Sequence, residues 1–439
     1  MLDTNQQDDR EFAALVGIDW ADQKHAWALH SCNASEVEGG PLEHTPEAVE
    51  GWAAELARRF GGRSIAVALE QSRGALLFML TKYAHLVLFP VHPTTLAKYR
   101  QSFRPSGAKS DPSDAGLLVD LLVHHREKLR RLNPDTEQTR TLQFLVEARR
   151  KFVSDKTRYS NRLTAHLKLY FPQVLNWFGE VSSPIAGDFL ERWPTLVKVQ
   201  KARPDVLRKF LLQHHCKSDS IESRLEEIRQ AVRATHDAAV ICSSSAAVLA
   251  LVRILREVRD AIRSYDEQIE TLVRQHPDFA IVDSLPGAGS ALTPRLIAAL
   301  GTQRDRYHTA SELQSYSGIA PVLASSGKQS WVHWRWACPQ FVRQTFHEWA
   351  AHSIGSSAWA KSYYEQQRAK GKPRNTVIRA LAFKWIRILF RCWKDRQPYC
   401  EDRYQRALAH RKQIAGQGSP VQFEWKTCAG FRKISKITS

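Results

Sequence analysis

The sequence predicts an α/β unit over residues 12–135, an α-helical, coiled-coil-like middle over 136–276, a mainly α-helical C-terminal part over 277–400 and a basic tail over 401–439. Three observations carry this division. Short apolar runs such as Leu15–Ile18 and Ile65–Leu69 recur early in the chain between Gly, Pro and acidic residues, the mark of buried strands. Apolar residues then fall at helical spacing over long stretches, and the last part joins that spacing to a high density of Lys, Arg and Trp.

At 439 residues the chain has room for two or three domains, each with its own core. Lys and Arg number 63 against 45 acids, a net charge of +18, while 43% of residues are apolar. A folded protein with that excess suits a polyanionic partner, and nucleic acid is the first candidate, since solubility alone requires less. The seven cysteines, at 32, 216, 242, 338, 392, 400 and 428, form no C-x-x-C pair and read as reduced thiols rather than a zinc site or a disulfide frame. The stretch Met1–Glu11 is polar, and no apolar run reaches the roughly 18 residues that span a bilayer, so a cytoplasmic protein without membrane contact is expected.

Taken in order, Leu15–Trp20 reads as a buried strand ending in an acid, His25–His30 as a second strand, and a third lies between Cys32 and His44. Pro46–Phe60 is helical, with Ala48, Trp52, Ala53, Leu56 and Phe60 on one face. Ser64–Leu69 is a strand that ends at Glu70. A helix over about 74–84 leads to the strand Leu86–Val91, then a short helix and a loop from Phe103 to Ala108. At Ser110–Asp111–Pro112 the pattern turns helical again: Ser110 or Asp111 can cap, Pro112 suits the first turn, and Asp111 and Asp114 share one face.

Acids at the ends of two strands, Asp19 and Glu70, can meet at one edge of a mostly parallel sheet, and a later helix can bring Asp111 and Asp114 there. Each has an ordinary reading: a strand-end turn for Asp19, a loop charge for Glu70, and macrodipole-favoured acids for the helix start. Four convergent carboxylates, however, repel unless divalent cations lie between them, and hard oxygen donors suit Mg²⁺ or Mn²⁺. Two such ions can stabilise the attacking and leaving oxygens of a phosphoryl displacement, which is the site of an RNase H-like fold.

Residues 136–171 form one long helix, and 173–219, richer in proline, read as a less regular helical insert. The stretch 221–276 suggests a helical hairpin or coiled coil, serving as spacer or dimerisation arm, or simply core helices. Leu285–Ser290 resembles a helix-hairpin-helix turn in which Gly287 and Gly289 let backbone N–H groups approach a phosphate. Ala324–Lys328 reads as a loop holding Ser326. From Lys328 to Arg396 there are 14 Lys and Arg against three acids, with seven of the 13 tryptophans. Lys109, Lys328, Arg335, Lys372 and Arg374 are candidate phosphate contacts; most of the tryptophans are expected in helix cores, and only exposed ones can stack on bases.

The motifs Gly17-Ile18-Asp19, Glu70, Lys109-x-Asp111-x-x-Asp114-Ala115, Leu285-Pro286-Gly287-x-Gly289 and Gly318-x-Ala320-Pro321 with Ser326-Gly327, in this order, resemble the DEDD-type insertion-sequence transposases. That family joins a RuvC-like N-terminal domain to a serine-bearing C-terminal domain, includes bridge-RNA-guided recombinases, and is related to Piv-type invertases. The resemblance, spanning roughly Leu15 to Trp393, implies that Asp19, Glu70, Asp111 and Asp114 bind Mg²⁺ and that Ser326 forms a phosphoserine link to DNA. It also implies donor and target DNA, a noncoding guide RNA, and a dimer that assembles to a tetramer. Ser325 directly precedes Ser326, so the choice of nucleophile rests on the Ser-Gly match. The competing readings are a metal-dependent, RuvC-like junction nuclease needing the acids and not the serine, a site-specific invertase, and a nucleic-acid binder with vestigial catalytic residues.

Overall fold

In the computed structural model, residues 11–31, 36–70, 74–103, 111–327 and 329–407 are described. The chain divides into two units, Met1–Pro134 and Asp135–Ser439.

The first unit is built on β1 (Ala14–Asp19), buried along its whole length because it is the middle strand of five. β2 (Lys24–Ser31) pairs antiparallel with β1 and β3 (Val37–Glu43) with β2, while β4 (Ile65–Leu69) and β5 (Leu86–Pro90) continue the other side in parallel. The order is β3-β2-β1-β4-β5. Parallel strands need crossovers, and α1 (Pro46–Arg59) and α2 (Ala75–Leu80) supply them. Thr45 starts α1 by accepting the Ala48 N–H at 3.2 Å, with Pro46 in the first turn.

Alternation along the strands makes two apolar faces. Ala14, Val16 and Ile18 join Ile65, Val67, Leu69 and Leu88 against Val49, Ala53 and Leu56 of α1 and Leu76, Leu77 and Leu80 of α2. Leu15, Ala66, Ala68 and Phe89 face the other way, onto Leu96 of α3 (Pro93–Phe103) and Leu118, Leu121 and Leu122 of α4 (Asp111–His125). The strands and helices expected here form at close to the expected bounds. The anticipated loop lies largely outside the described residues.

The second unit hangs on two long helices that pack on each other, α5 (Glu137–Tyr170) and α11 (Ala238–Arg274). Leu163, Leu167 and Tyr170 of α5 and Val248, Leu251, Val252 and Leu255 of α11 form one core with the short helices α6 (Gln173–Trp177), α7 (Pro184–Arg192), α8 (Leu196–Gln200), α9 (Pro204–Gln213) and α10 (Ser218–Gln230). Residues 173–219 are therefore helical, organised round Phe189, whose ring meets Phe178, Trp193 and Phe210 at 4.9, 5.3 and 6.1 Å. The helical region expected over 221–276 is broken at 231–237, and α11 takes α5 as its long partner. An 18-residue window of α11 has a mean hydropathy of 2.1, which corrects the expectation that no run of that length is apolar enough for a bilayer; its apolar stripe is the one packed on α5 and α7.

At the other end of this pair, Leu142, Val146, Ile269 and Val273 share a core with α12 (Phe279–Asp283), α13 (Gly289–Leu300), α14 (Ala310–Tyr316), α15 (Gln340–Ser353), α16 (Ala358–Ala369) and α17 (Arg374–Asp395). Trp349, Trp385 and Trp393 are fully buried there, as expected of helix-core tryptophans, and Trp359 packs on Trp385 at 4.6 Å. Between α14 and α15 the chain makes an antiparallel hairpin, β6 (Val322–Ser326) and β7 (Gln329–His333), where the sequence had suggested only a loop. Gly327 turns it with φ +56°, a conformation the tight two-residue turn demands and glycine meets without strain.

Candidate active site

Asp19 closes β1 and Glu70 directly follows β4. The two strands pair in parallel as far as Ile18 with Leu69, so both acids stand at the C-terminal edge of the sheet, and alternation gives Asp19 the face of Leu15 and Gly17, the one that carries α4. Gly17 is what lets α4 lie there: a Cβ at this position would fall 2.8 Å from Leu118 Cβ, 2.9 Å from Val119 N and closer still to the Ala115 carbonyl oxygen. Leu15 packs with Leu118, Leu121 and Leu122, and Gly17 meets Ala115 to Val119, so α4 runs antiparallel to β1 and its N-terminus points to Asp19. Two of the acids, Asp19 and Asp114, are almost completely buried, while Asp111 at the first residue of α4 is exposed and Glu70 is half-buried. The positive end of the α4 macrodipole favours negative charge at this edge.

One member of this site was missed in the sequence. Arg100, on the last turn of α3, donates Nε to Asp114 Oδ1 and Nη2 to Asp114 Oδ2, both at 2.6 Å. This two-pronged pair is what allows a carboxylate to sit at zero exposure. No local pattern links residues 100 and 114, so nothing in the sequence announced it.

The donor chemistry at this edge, carboxylates at strand ends and a helix start, is of the kind a hard divalent cation takes. Among the described residues, however, no three His, Cys, Asp or Glu side chains close on one point. Arg100 takes one acceptor position on each Asp114 oxygen, which leaves the second lone pair of each as the position a cation could use.

The turn that follows Asp19 is held by His25. Its Nδ1 accepts the Ala21 N–H at 3.1 Å, which leaves the proton on Nε2 to be donated to His44 Nδ1 at 2.8 Å. Burial, with His44 alongside, pushes the His25 pKa down from 6.5 to about 4. The unfolded chain therefore takes up a proton between pH 6.5 and 4 that the folded chain refuses. Stability is present above this window and is lost as pH falls through it, by up to about 3 kcal/mol. In urea titrations across that range, His25→Gln is expected to show a shallower decline than the parent; parallel curves would mean that His25 does not carry this charge penalty.

In the second unit Ser326 is the last residue of β6, exposed, and paired with Gln329 across the turn; Ser325 pairs with Ser330 and points to the opposite face. Arg335 follows the hairpin and is half-buried, and Arg374 is exposed at the start of α17. Lys372 Nζ donates to Gln367 Oε1 at 2.7 Å. Gly287 has φ +77°, but a Cβ there would meet the α15 backbone, 2.6 Å from Ser353 N, so its close approach is to a helix of its own unit and not to a phosphate. Gly289, with φ +53°, is exposed with open space around it. Lys109 and Lys328 lie outside the described residues.

Comparison with known proteins gives the class, a transposase that cleaves and joins DNA. Residues 16–172 match a DEDD transposase family of the IS110 type, and residues 280–365 match the family described as "Transposase IS116/IS110/IS902 family", together more than half of the chain. The chain belongs to the IS110 family of transposases. It is 28% identical to the IS117 mini-circle protein of Streptomyces coelicolor over 413 residues, covering 91% of this chain and 98% of the relative. It is 26% identical to the 43.6 kDa protein of insertion element IS110 from the same organism, over 78% and 84% of the two chains. The IS116 protein of Streptomyces clavuligerus is 24% identical over 87% and 95%.

Proposed function

We propose that this transposase cuts and rejoins DNA with an RNase H-like (RuvC-like) carboxylate centre, Asp19, Glu70, Asp111 and Asp114, and with Ser326 as nucleophile. The observation that supports the reading is the common edge: β1 and β4 run parallel up to Ile18 and Leu69, the residues just before Asp19 and Glu70, and α4, whose first turn holds Asp111 and Asp114, packs on β1. The strand order, with an antiparallel β1–β3 meander extended by two parallel strands, supports the RNase H-like assignment. The four carboxylates would hold Mg²⁺, or Mn²⁺. The chemistry such an ion supplies when bound is polarisation of the scissile phosphate and stabilisation of the departing 3′ oxygen.

Ser326 Oγ attacks the phosphorus, the P–O3′ bond breaks, and the serine proton ends on the released 3′ hydroxyl. The phosphoserine link stores the bond for rejoining to another strand. Ser326 and the acids lie in different units of the chain; we take the serine of one subunit to serve the acids of another, in a dimer that assembles to a tetramer on DNA. Sequence choice is assigned to a noncoding RNA from the element that pairs with donor and target DNA. Both assignments rest on the family resemblance.

The test is to incubate the full chain with labelled element-end DNA, its flanking RNA and Mg²⁺, then denature. A covalent protein–DNA adduct mapping to a peptide with Ser326, and lost with chelator or in Asp19→Asn, is the expected result. Cleavage with no adduct would replace this reading by that of a metal-dependent junction nuclease.

A further inference from the structure

Near the β6–β7 hairpin Arg343 and Arg379 meet beside Gly318, and the half-buried Arg335 lies on the segment that follows β7. A Cβ on Gly318 would touch Cys338, with Arg343 Cδ at 3.5 Å, and the Cys338 thiol donates to the Arg335 carbonyl at 3.4 Å. Arg379 crosses from α17, donates Nε to the Ile319 carbonyl at 2.9 Å and lays its guanidinium 3.8 Å above the Trp334 ring. Arg379 Nη2 and Arg335 Nε are buried without any hydrogen-bond partner. Among the described residues no acidic side chain forms an ion pair with Arg335, Arg343 or Arg379; the nearby Glu348 is taken by Arg295. Burial and the like charge of Arg343 both lower the Arg379 pKa. Half-buried guanidinium groups massed without counter-charge are costly, and an anion with several acceptor oxygens is what offsets them. Beside them Trp331, Trp334 and Trp336 are 49%, 44% and 78% exposed.

We propose that Arg335, Arg343 and Arg379 form a binding site for the backbone phosphate of the DNA strand that Ser326 cuts, with Trp336 as a stacking platform for a base of that strand. The assignment of the cut strand rests on the reading of Ser326 as nucleophile. Val322 pairs with His333 at the foot of the hairpin and Ser326 stands four strand residues away, about 13 Å. That is about four base steps along one strand, so the site grips the backbone a few nucleotides from the attacked phosphate. Guanidinium forks match phosphate oxygens, and indoles accept any base face, so the grip needs no sequence.

The experiment is fluorescence anisotropy with the full chain and three probes: a fluorescein-labelled duplex of the element end, the same duplex with a short single-stranded gap, and an RNA hairpin. The double variant Arg343→Gln/Arg379→Gln is expected to weaken both DNA probes by on the order of 10- to 100-fold and to reduce the log–log salt slope by about 1 to 2. Trp336→Ala should weaken the gapped duplex more than the intact one. Should the double variant unfold by circular dichroism, Arg335→Gln, outside the apolar core, carries the test with a smaller loss of the same kind. Unchanged DNA affinity and slope, or a loss confined to the RNA probe, overturns the proposal. Loss of DNA affinity in the arginine variants while no adduct forms at Ser326 in the parent retains the phosphate site and removes the nucleophile reading; full affinity in those variants with the adduct intact does the reverse.

Discussion

Replacing Ser326 with alanine is expected to lower strand cleavage by on the order of 10⁴-fold or more, the scale on which a covalent nucleophile is lost, with DNA affinity unchanged. The serine sits exposed at the end of β6, so its truncation removes no packing, and the effect falls on chemistry alone. Ser325→Ala is the internal control. The adjacent hydroxyl projects to the opposite face of the strand and cannot replace Ser326 without a one-residue slip of the β6–β7 register. Its cleavage is therefore expected within about tenfold of the parent. Single-turnover assays on element-end DNA measure both. If Ser325→Ala is the dead variant the nucleophile is Ser325, and if both cleave at the parent rate neither serine is used.

Gly17→Ala is expected to cost about 3 kcal/mol or more of folding stability, because one methyl has nowhere to go. The added carbon would press on the Ala115 carbonyl and sit 2.8 Å from Leu118 Cβ, both parts of a helix that cannot move as a flexible side chain does. α4 must back away from β1, which opens the apolar face of Leu15, Leu118 and Leu122 and carries Asp114 away from Asp19. Loss of stability in urea and loss of cleavage should therefore appear together. A Gly17→Ala chain as stable as the parent would contradict the packing of α4 on β1.

Much of the first unit could be read before any coordinates. Apolar strands alternating with amphipathic helices, acids closing the runs at Asp19 and Glu70, and a doubly acidic helix start are local patterns, and local patterns survive folding. The faces were legible too: residues 15, 17 and 19 alternate with 14, 16 and 18 in any strand. The hairpin holding Ser326 was less so. Its outward residues, Leu323, Trp331 and Val332, are apolar and exposed, so the polar-out alternation that betrays a strand is missing. The tryptophans divided as the helical spacing suggested, with those of α15 and α17 in the core and those of the hairpin segment at the surface.

What the amino-acid order alone determined was most of the elements, the succession of acids along them and the serine in the following unit, because hydrophobic period, caps and turn residues act over a few neighbours. The tertiary structure alone decided that Arg100 would hold Asp114, that α11 would pair with α5, that Gly287 would make room for α15 and that Arg343 and Arg379 would meet beside Gly318. Those are meetings between residues from 14 to more than 60 positions apart, set by which apolar faces bury each other, and no short-range pattern records which partner wins.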